Sequence, residues 1–177
     1  GGVVSGIHSV EEARDAFRAI SGSVLEKIPG AKISGIIVAK QYPQGFELLV
    51  GGRTDPAFGK VITFGIGGTL VELLRDVSIR VLPVDRATVE EMIDEIRGSR
   101  IIRGFRGSDP LDREALVDAI LRLAQLFEED PDWYEFDINP LILYTRGCVA
   151  VDARVYLARG MEKETGSPRP SPGESLF

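Results

Sequence analysis

Residues 135–154 read EFDINPLILYTRGCVAVDAR, and the alternation within them decides the fold of the surrounding chain. Phe136 and Ile138 fall on one side of an extended strand, so Asp137 and Asn139 share the other, as a period of two requires. Val149 and Val151 repeat the pattern on a return strand and put Asp152 on the face away from them. The turn falls near Thr145, Arg146 and Gly147. A two-residue loop in either register sets Asn139 and Asp152 opposite or diagonally adjacent on one face. A carboxylate and an amide oxygen then converge, which is the kind of protein contribution a magnesium ion accepts when phosphates complete its octahedron. The same residues have a plainer use, because Asn-Pro opens turns and an aspartate at a strand end blunts an edge. Hairpin geometry leaves both readings open.

The 177 residues have room for one ordinary domain or two small lobes, and a composition of 44% hydrophobic and 27% charged residues is that of a soluble globular protein able to bury a core. A net charge of -6 argues against a general nucleic-acid binder, since no basic surface is there to displace counterions from a phosphate backbone. A nucleotide would be held instead by backbone amides, metal and a few local cations. The single cysteine, Cys148, excludes an internal disulfide framework and fits a reducing compartment, so a cytoplasmic location is expected. No apolar run reaches transmembrane length and no charged-then-apolar segment opens the chain, so no membrane partner is expected.

From the N-terminus, 1–7 is a short apolar run that would serve as a strand. His8 follows, and Ser9 with Glu12 forms a capping box for the next helix, which makes a catalytic role for His8 the weaker reading. Over 10–28 the positions Ala13, Phe17, Ile20, Val24 and Ile28 recur at helical spacing, and this helix is expected to cover a sheet. Three strands should follow without intervening helices, at 33–39 (ISGIIVA), 46–51 and 60–64, as in an antiparallel meander, with RTDPAFG over 53–59 as a loop. Glu47, inside the second strand, either points to solvent or hydrogen-bonds a ligand such as a ribose. The third strand runs into FGIGGTLVELLRD at 64–76. Gly65, Gly67 and Gly68 either form a plain glycine turn or let consecutive amides point at a phosphate; on the second reading Gly67→Val lowers nucleotide affinity and leaves the fold intact. Glu72, Asp76 and Arg80 stand close behind, as site residues or as solvated flank.

Asp85 caps a helix whose Val89, Met92, Ile93 and Ile96 share one face. Arg97, Arg100, Arg103 and Arg106 lie among glycines in the one locally basic segment, fit either to clamp phosphate or to form a solvated or subunit-contact surface. Asp112 caps an amphipathic helix with Leu116, Ile120, Leu123, Leu126 and Phe127 inward. Beyond Leu157 the chain turns Ser/Pro/Gly-rich and charged, so 158–177 reads as a mobile tail and 1–157 as the domain. The fold class expected is α+β, a mixed or antiparallel sheet in which the 33–65 strands and the closing hairpin are covered by the helices at 10–28 and 112–128.

Three segments in this order, GFELLVGGRTDPAFG, FGIGGTLVELLRDVSIR, and EFDINPL with VAVDAR, resemble the ATP-grasp domain of NDP-forming acyl-CoA synthetases. That family includes ADP-forming acetyl-CoA synthetase and, more distantly, succinyl-CoA synthetase. The resemblance implies an ATP-grasp-like nucleotide domain acting with Mg2+ and ATP/ADP. Its metal ligands fall on Asn139 and Asp152, its adenine hinge on Val38, Ala39 and Gln41, its strand glutamate on Glu47 and its phosphate loop on Gly65, Gly67 and Gly68. Glu72, Arg80 and Asp137 are the candidate catalytic residues. Many relatives carry a glutamate where this chain has Lys40, which leaves adenine to backbone contacts. The resemblance also implies an upstream first lobe not included in this chain. The partner would be a CoA-binding alpha subunit or domain carrying a phosphohistidine, in a hetero- or homo-oligomer. The activity implied is that of an acid–thiol ligase component, incomplete as this chain alone; a non-catalytic ATP-grasp-like regulatory or assembly module is the alternative.

Overall fold

The computed structural model describes residues 1–68 and 76–158, and the chain divides into two compact units, Gly1–Gln44 and Gly45–Phe177. The first unit contains one helix, α1 (Val10–Lys27), with extended chain on either side. Its start follows the expected capping chemistry. Ser9 Oγ accepts from the Glu12 N–H at 3.1 Å, and the Glu12 carboxylate reaches back to the His8 N–H at 2.6 Å, so His8 serves the cap through its backbone. The strands expected at 1–7 and 33–39 do not form. A strand exists only through hydrogen bonds to a neighbour, and this unit contains no second strand to supply them. Ile37 and Val38 are accordingly 93% and 84% exposed, and Ala16 is the one buried hydrophobic residue among 1–44.

The second unit is an antiparallel sheet with helices packed on one face. Its strands are β1 (Phe46–Asp55), β2 (Gly59–Ile66), β3 (Val77–Val81), β4 (Trp133–Leu143), β5 (Cys148–Ala150) and β6 (Ala153–Leu157). The order is β3-β2-β1-β4-β5, with β6 also paired to β4. The helices are α2 (Arg86–Glu95), the single turn α3 (Ser99–Ile102) and α4 (Arg113–Glu129). The expected loop at 53–59 shrinks to a tight turn, since β1 runs on to Asp55, whose carboxylate accepts the Ala57 and Phe58 N–H groups. β3 arises from DVSIR, where no strand was anticipated: Val77, Ile79 and Val81 alternate with Ser78 and Arg80, and the sheet edge offered by β2 turns that short pattern into a strand.

Alternation places Leu48 and Val50 of β1, Ile62 and Phe64 of β2, and Phe136 and Ile138 of β4 in one core with the helices. α2 contributes Val89, Met92 and Ile93, followed by Ile96, and α4 contributes Leu116, Val117, Ile120 and Phe127, all but fully buried. Leu126, expected inward, is 53% exposed, because the apolar stripe of α4 runs through Leu116, Ile120, Ala124 and Phe127 and leaves Leu126 off its axis. The Phe127 and Phe136 rings meet edge to face at 5.2 Å. Two polar contacts fix α4 on the sheet. At its start, one Asp112 oxygen accepts from the Ala115 N–H at 3.0 Å and the other from the Gly147 N–H of the hairpin turn at 2.7 Å. At its end, Lys60 Nζ of β2 donates to the carbonyls of Phe127 and Asp130, a cation at the negative pole of the helix.

Candidate functional site

The hairpin of β4 and β5 turns through Thr145 and Arg146, with the Tyr144 N–H donating to the Gly147 carbonyl at 3.1 Å and Gly147 at φ 75°. The return strand is interrupted at Val151 and Asp152, yet the register is the same on both sides, Leu141 opposite Ala150 and Ile138 opposite Ala153. Asn139 therefore stands across from Asp152, joined by an N–H···O contact of 3.3 Å, and Pro140 across from Val151 at 3.0 Å. This is the opposed placement that the hairpin reading allowed. Toward β1 the same two residues form a bulge, because Leu48 pairs with Leu141 and Val50 with Ile138, leaving Asn139 and Pro140 opposite Leu49 alone. The bulge re-aims the Asn139 side chain, whose Oδ1 accepts from the Gly68 N–H at 3.1 Å.

The glycine loop thus ends beside the hairpin. Gly68 has φ 71°, and a Cβ there would stand 2.1 Å from Glu47 Oε2, so the Glu47 carboxylate, the Gly68 amide and the Asn139 amide occupy one place on the sheet's second face. Glu47 itself remains exposed. Gly67 packs against β1. Its N–H donates to the Glu47 carbonyl at 2.9 Å, and an added Cβ would lie 2.5 Å from the Leu48 backbone, so the close approach it permits is to β1. Gly65 likewise lies against the edge strand, 2.6 Å from Cβ position to the Asp76 carbonyl. Asp76 accepts with both oxygens from the Arg97 and Gly98 amides at 2.9 Å.

Asp137 and Glu135 continue the row on the same face of β4. Burial pushes the Asp137 carboxyl above its ordinary value, with Arg154 opposing the rise and Asp152 adding to it. Burial raises Glu135 too, against the pull of Arg53 and with a further push from Asp137. Arg154 is the cross-strand partner of Asp137, and its Nη2 stands 3.6 Å from Asp152 Oδ2. Glu135 and Arg154 bound the stretch first quoted and Arg53 lies on β1; none was singled out from the sequence, although the two-residue period already puts Glu135 with Asp137 and Asn139.

Arg80 is not part of this face. It pairs with Ile62 on the helix-covered side, where its guanidinium holds Glu95 of α2 through two contacts and the Ser78 hydroxyl through a third. An arginine two residues from an edge of apolar side chains is here a strut between strand and helix. Glu72 lies outside the described residues, as does the tail beyond Ala158. Val38, Ala39 and Gln41 belong to the first unit, where Gln41 Oε1 accepts from the Gly6 N–H at 2.7 Å. Of the arginines at 97–106, Arg103 pairs with Asp94 at 2.7 Å and Arg106 stacks 5.3 Å from the Phe105 ring centroid.

Among the described residues no group of three or more His, Cys, Asp or Glu could hold a metal ion by itself. Asn139 and Asp152 offer one amide and one carboxylate oxygen, and Asn139 Oδ1 keeps a second lone pair beside its bond to Gly68. That hard-oxygen pair fits a magnesium ion whose remaining ligands come from phosphate and water.

A family model described as ATP-grasp domain matches residues 1–157, and the chain belongs to that family. Within it, the chain is 43% identical over 157 residues to the beta subunit of an ADP-forming acetate–CoA ligase from Pyrococcus furiosus, covering 89% of this chain and 68% of that subunit. It is 42% identical to an ADP-forming acetate–CoA ligase of Archaeoglobus fulgidus over 80% of this chain, which is only 21% of that longer protein. Among solved structures it resembles acetyl-coenzyme A synthetase 1 of Candidatus Korarchaeum cryptofilum, determined with coenzyme A and Mg-AMPPCP and with its phosphohistidine segment pointing towards the nucleotide binding site. That likeness has a TM-score of 0.78 and 40% identity, covering 88% of this chain and 68% of the other. These relatives are thus ADP-forming acetate–CoA ligases, in which the matching region is about two thirds of a subunit or a smaller part of a longer chain. No helix among the described residues is long and apolar enough to cross a membrane.

Proposed function

We propose that this chain is the nucleotide-handling part of an ADP-forming acid–CoA ligase of the cytoplasm, moving a phosphoryl group between ATP/ADP and a phosphohistidine on a CoA-binding subunit or domain. The observation that carries this reading is the opposition of Asn139 and Asp152 beside the Gly68 amide on one face of the sheet. Asn139 and Asp152 would hold Mg2+, which would supply neutralisation of phosphate charge. Glu47, set against Gly68, is placed for a ribose hydroxyl or for orienting the loop. Val38, Ala39 and Gln41 of the first unit are the residues proposed for adenine. Phosphoryl transfer asks a protein for positioning and charge neutralisation more than for a nucleophile of its own, and this face supplies hard oxygens and two arginines. Arg80, committed to Glu95, takes no part. Glu72 and Asp137 remain the other residues proposed to act at the phosphates, Asp137 through its place two residues before Asn139.

The test is titration of the whole enzyme with ATP, with and without Mg2+. Wild type gains affinity with Mg2+; Asp152→Asn loses most of that gain, and Asn139→Ala loses less, while metal-free binding changes little in either. A wild-type enzyme with no magnesium-dependent gain overturns the ligase reading and favours a non-catalytic regulatory module.

A further inference from the structure

We propose that Arg154 is a positioning residue of the phosphate site, setting the charge that a metal-bound polyphosphate meets between Asp137 and Asp152. The inference rests on the function proposed above. Arg154 lies opposite Asp137 in the β4–β6 register and 3.6 Å from the Asp152 carboxylate, so one guanidinium serves two carboxylates on the face that carries Asn139. Its contribution to stability does not account for it. The side chains of Arg154 and Asp152 are 64% and 55% exposed, and ion pairs of that kind add little to folding because water already solvates both partners.

Charge does account for it. Two carboxylates without a cation attract Mg2+ strongly, yet between them they cancel its charge toward a polyphosphate. A guanidinium beside them weakens the hold on bare Mg2+ and makes the loaded site one charge more positive, which favours the metal–nucleotide complex over either component. Lysine can supply the charge but not the planar guanidinium.

In the full-length enzyme with its CoA-binding partner, Arg154→Met and Arg154→Lys are compared with wild type by three readouts: Mn2+ affinity in the absence of nucleotide, Mg-ATP affinity, and melting temperature. Arg154→Met is expected to weaken Mg-ATP binding roughly tenfold while Mn2+ alone binds as well or better, with the melting temperature unchanged. Arg154→Lys should recover part of the Mg-ATP affinity. If both affinities fall together with the melting temperature, or if neither changes, Arg154 is a structural or idle residue and the proposal fails. If wild type itself shows no magnesium-dependent ATP binding, the functional reading beneath the proposal fails instead, and the two failures are told apart by that first measurement.

Discussion

On the face covered by α2 and α4, Leu48, Ile62, Phe64 and Leu143 are wholly buried; across the same strands Glu47 and Asp152 are exposed and Asp137 and Asn139 half-buried. The two faces share every backbone hydrogen bond of the sheet but not the consequences of mutation. Side chains pointing one way carry the free energy of folding, through apolar area removed from water. Those pointing the other way include Leu49 and Ile142, which are buried, beside a row of exposed and half-buried polar side chains that can be chosen for chemistry at small cost to the fold.

The sharpest break in that comparison would come from Phe64→Ala, which empties the centre of the covered face and is expected to cost about 3–5 kcal/mol in denaturant unfolding. Gly67→Val comes next. Because the added side chain runs into the Leu48 backbone, about 1–3 kcal/mol of stability should disappear along with nucleotide affinity, and a variant that loses affinity alone would return Gly67 to the ligand. Asp112→Ala should cost about 1 kcal/mol through the lost cap of α4. Its carboxyl is held below the ordinary range by the Gly147 and Ala115 amides. A depressed folded-state value means stability that is present above the unfolded value and lost as pH falls through the folded one. Wild type should therefore weaken as pH drops below about 4, and Asp112→Ala should weaken less steeply in melting curves taken from pH 6 to pH 3. The smallest effect on folding belongs to the open face: Asp152→Asn should shift stability by no more than about 0.5 kcal/mol while removing the magnesium-dependent part of ATP binding. A large loss of stability there would mean that the two faces are not independent.

Much of this arrangement could be read from residues alone, and the limits have physical causes. The opposed Asn139 and Asp152 followed from a period of two and a short turn, both local properties. Val89, Met92, Ile93 and Ile96 were legible because a helix makes its own hydrogen bonds and needs only a face to bury. The run at 33–39 carried as strong a strand signal as β1, and it failed because a strand's bonds come from a neighbour that this unit does not contain. Gly67 shows a related limit: FGIGG announces close approach by the backbone but not what is approached, and one such approach is to Leu48. Arg80, a candidate catalytic residue or solvated flank by sequence, is set toward Glu95 by its parity on β3, a strand with no separate signal of its own.

The bulge at Asn139 and Pro140 makes β4 a strand of fixed length. Phe136 and Ile138 before it, and Leu141 and Leu143 after it, reach the same core only because two residues there span the length of one on β1. Deleting either residue would remove the bulge and keep Leu141 and Leu143 toward the core, but it would put the second half of β4 one residue out of step with the return strand and break the opposition of Asn139 and Asp152. Chain length can drift at the Thr145–Arg146 tip, which is exposed and lies beyond the last rung of the ladder. Insertions and deletions accepted by descendants of this chain should therefore gather at that tip and spare the few residues between Phe136 and Leu143, whatever else in the hairpin is rewritten.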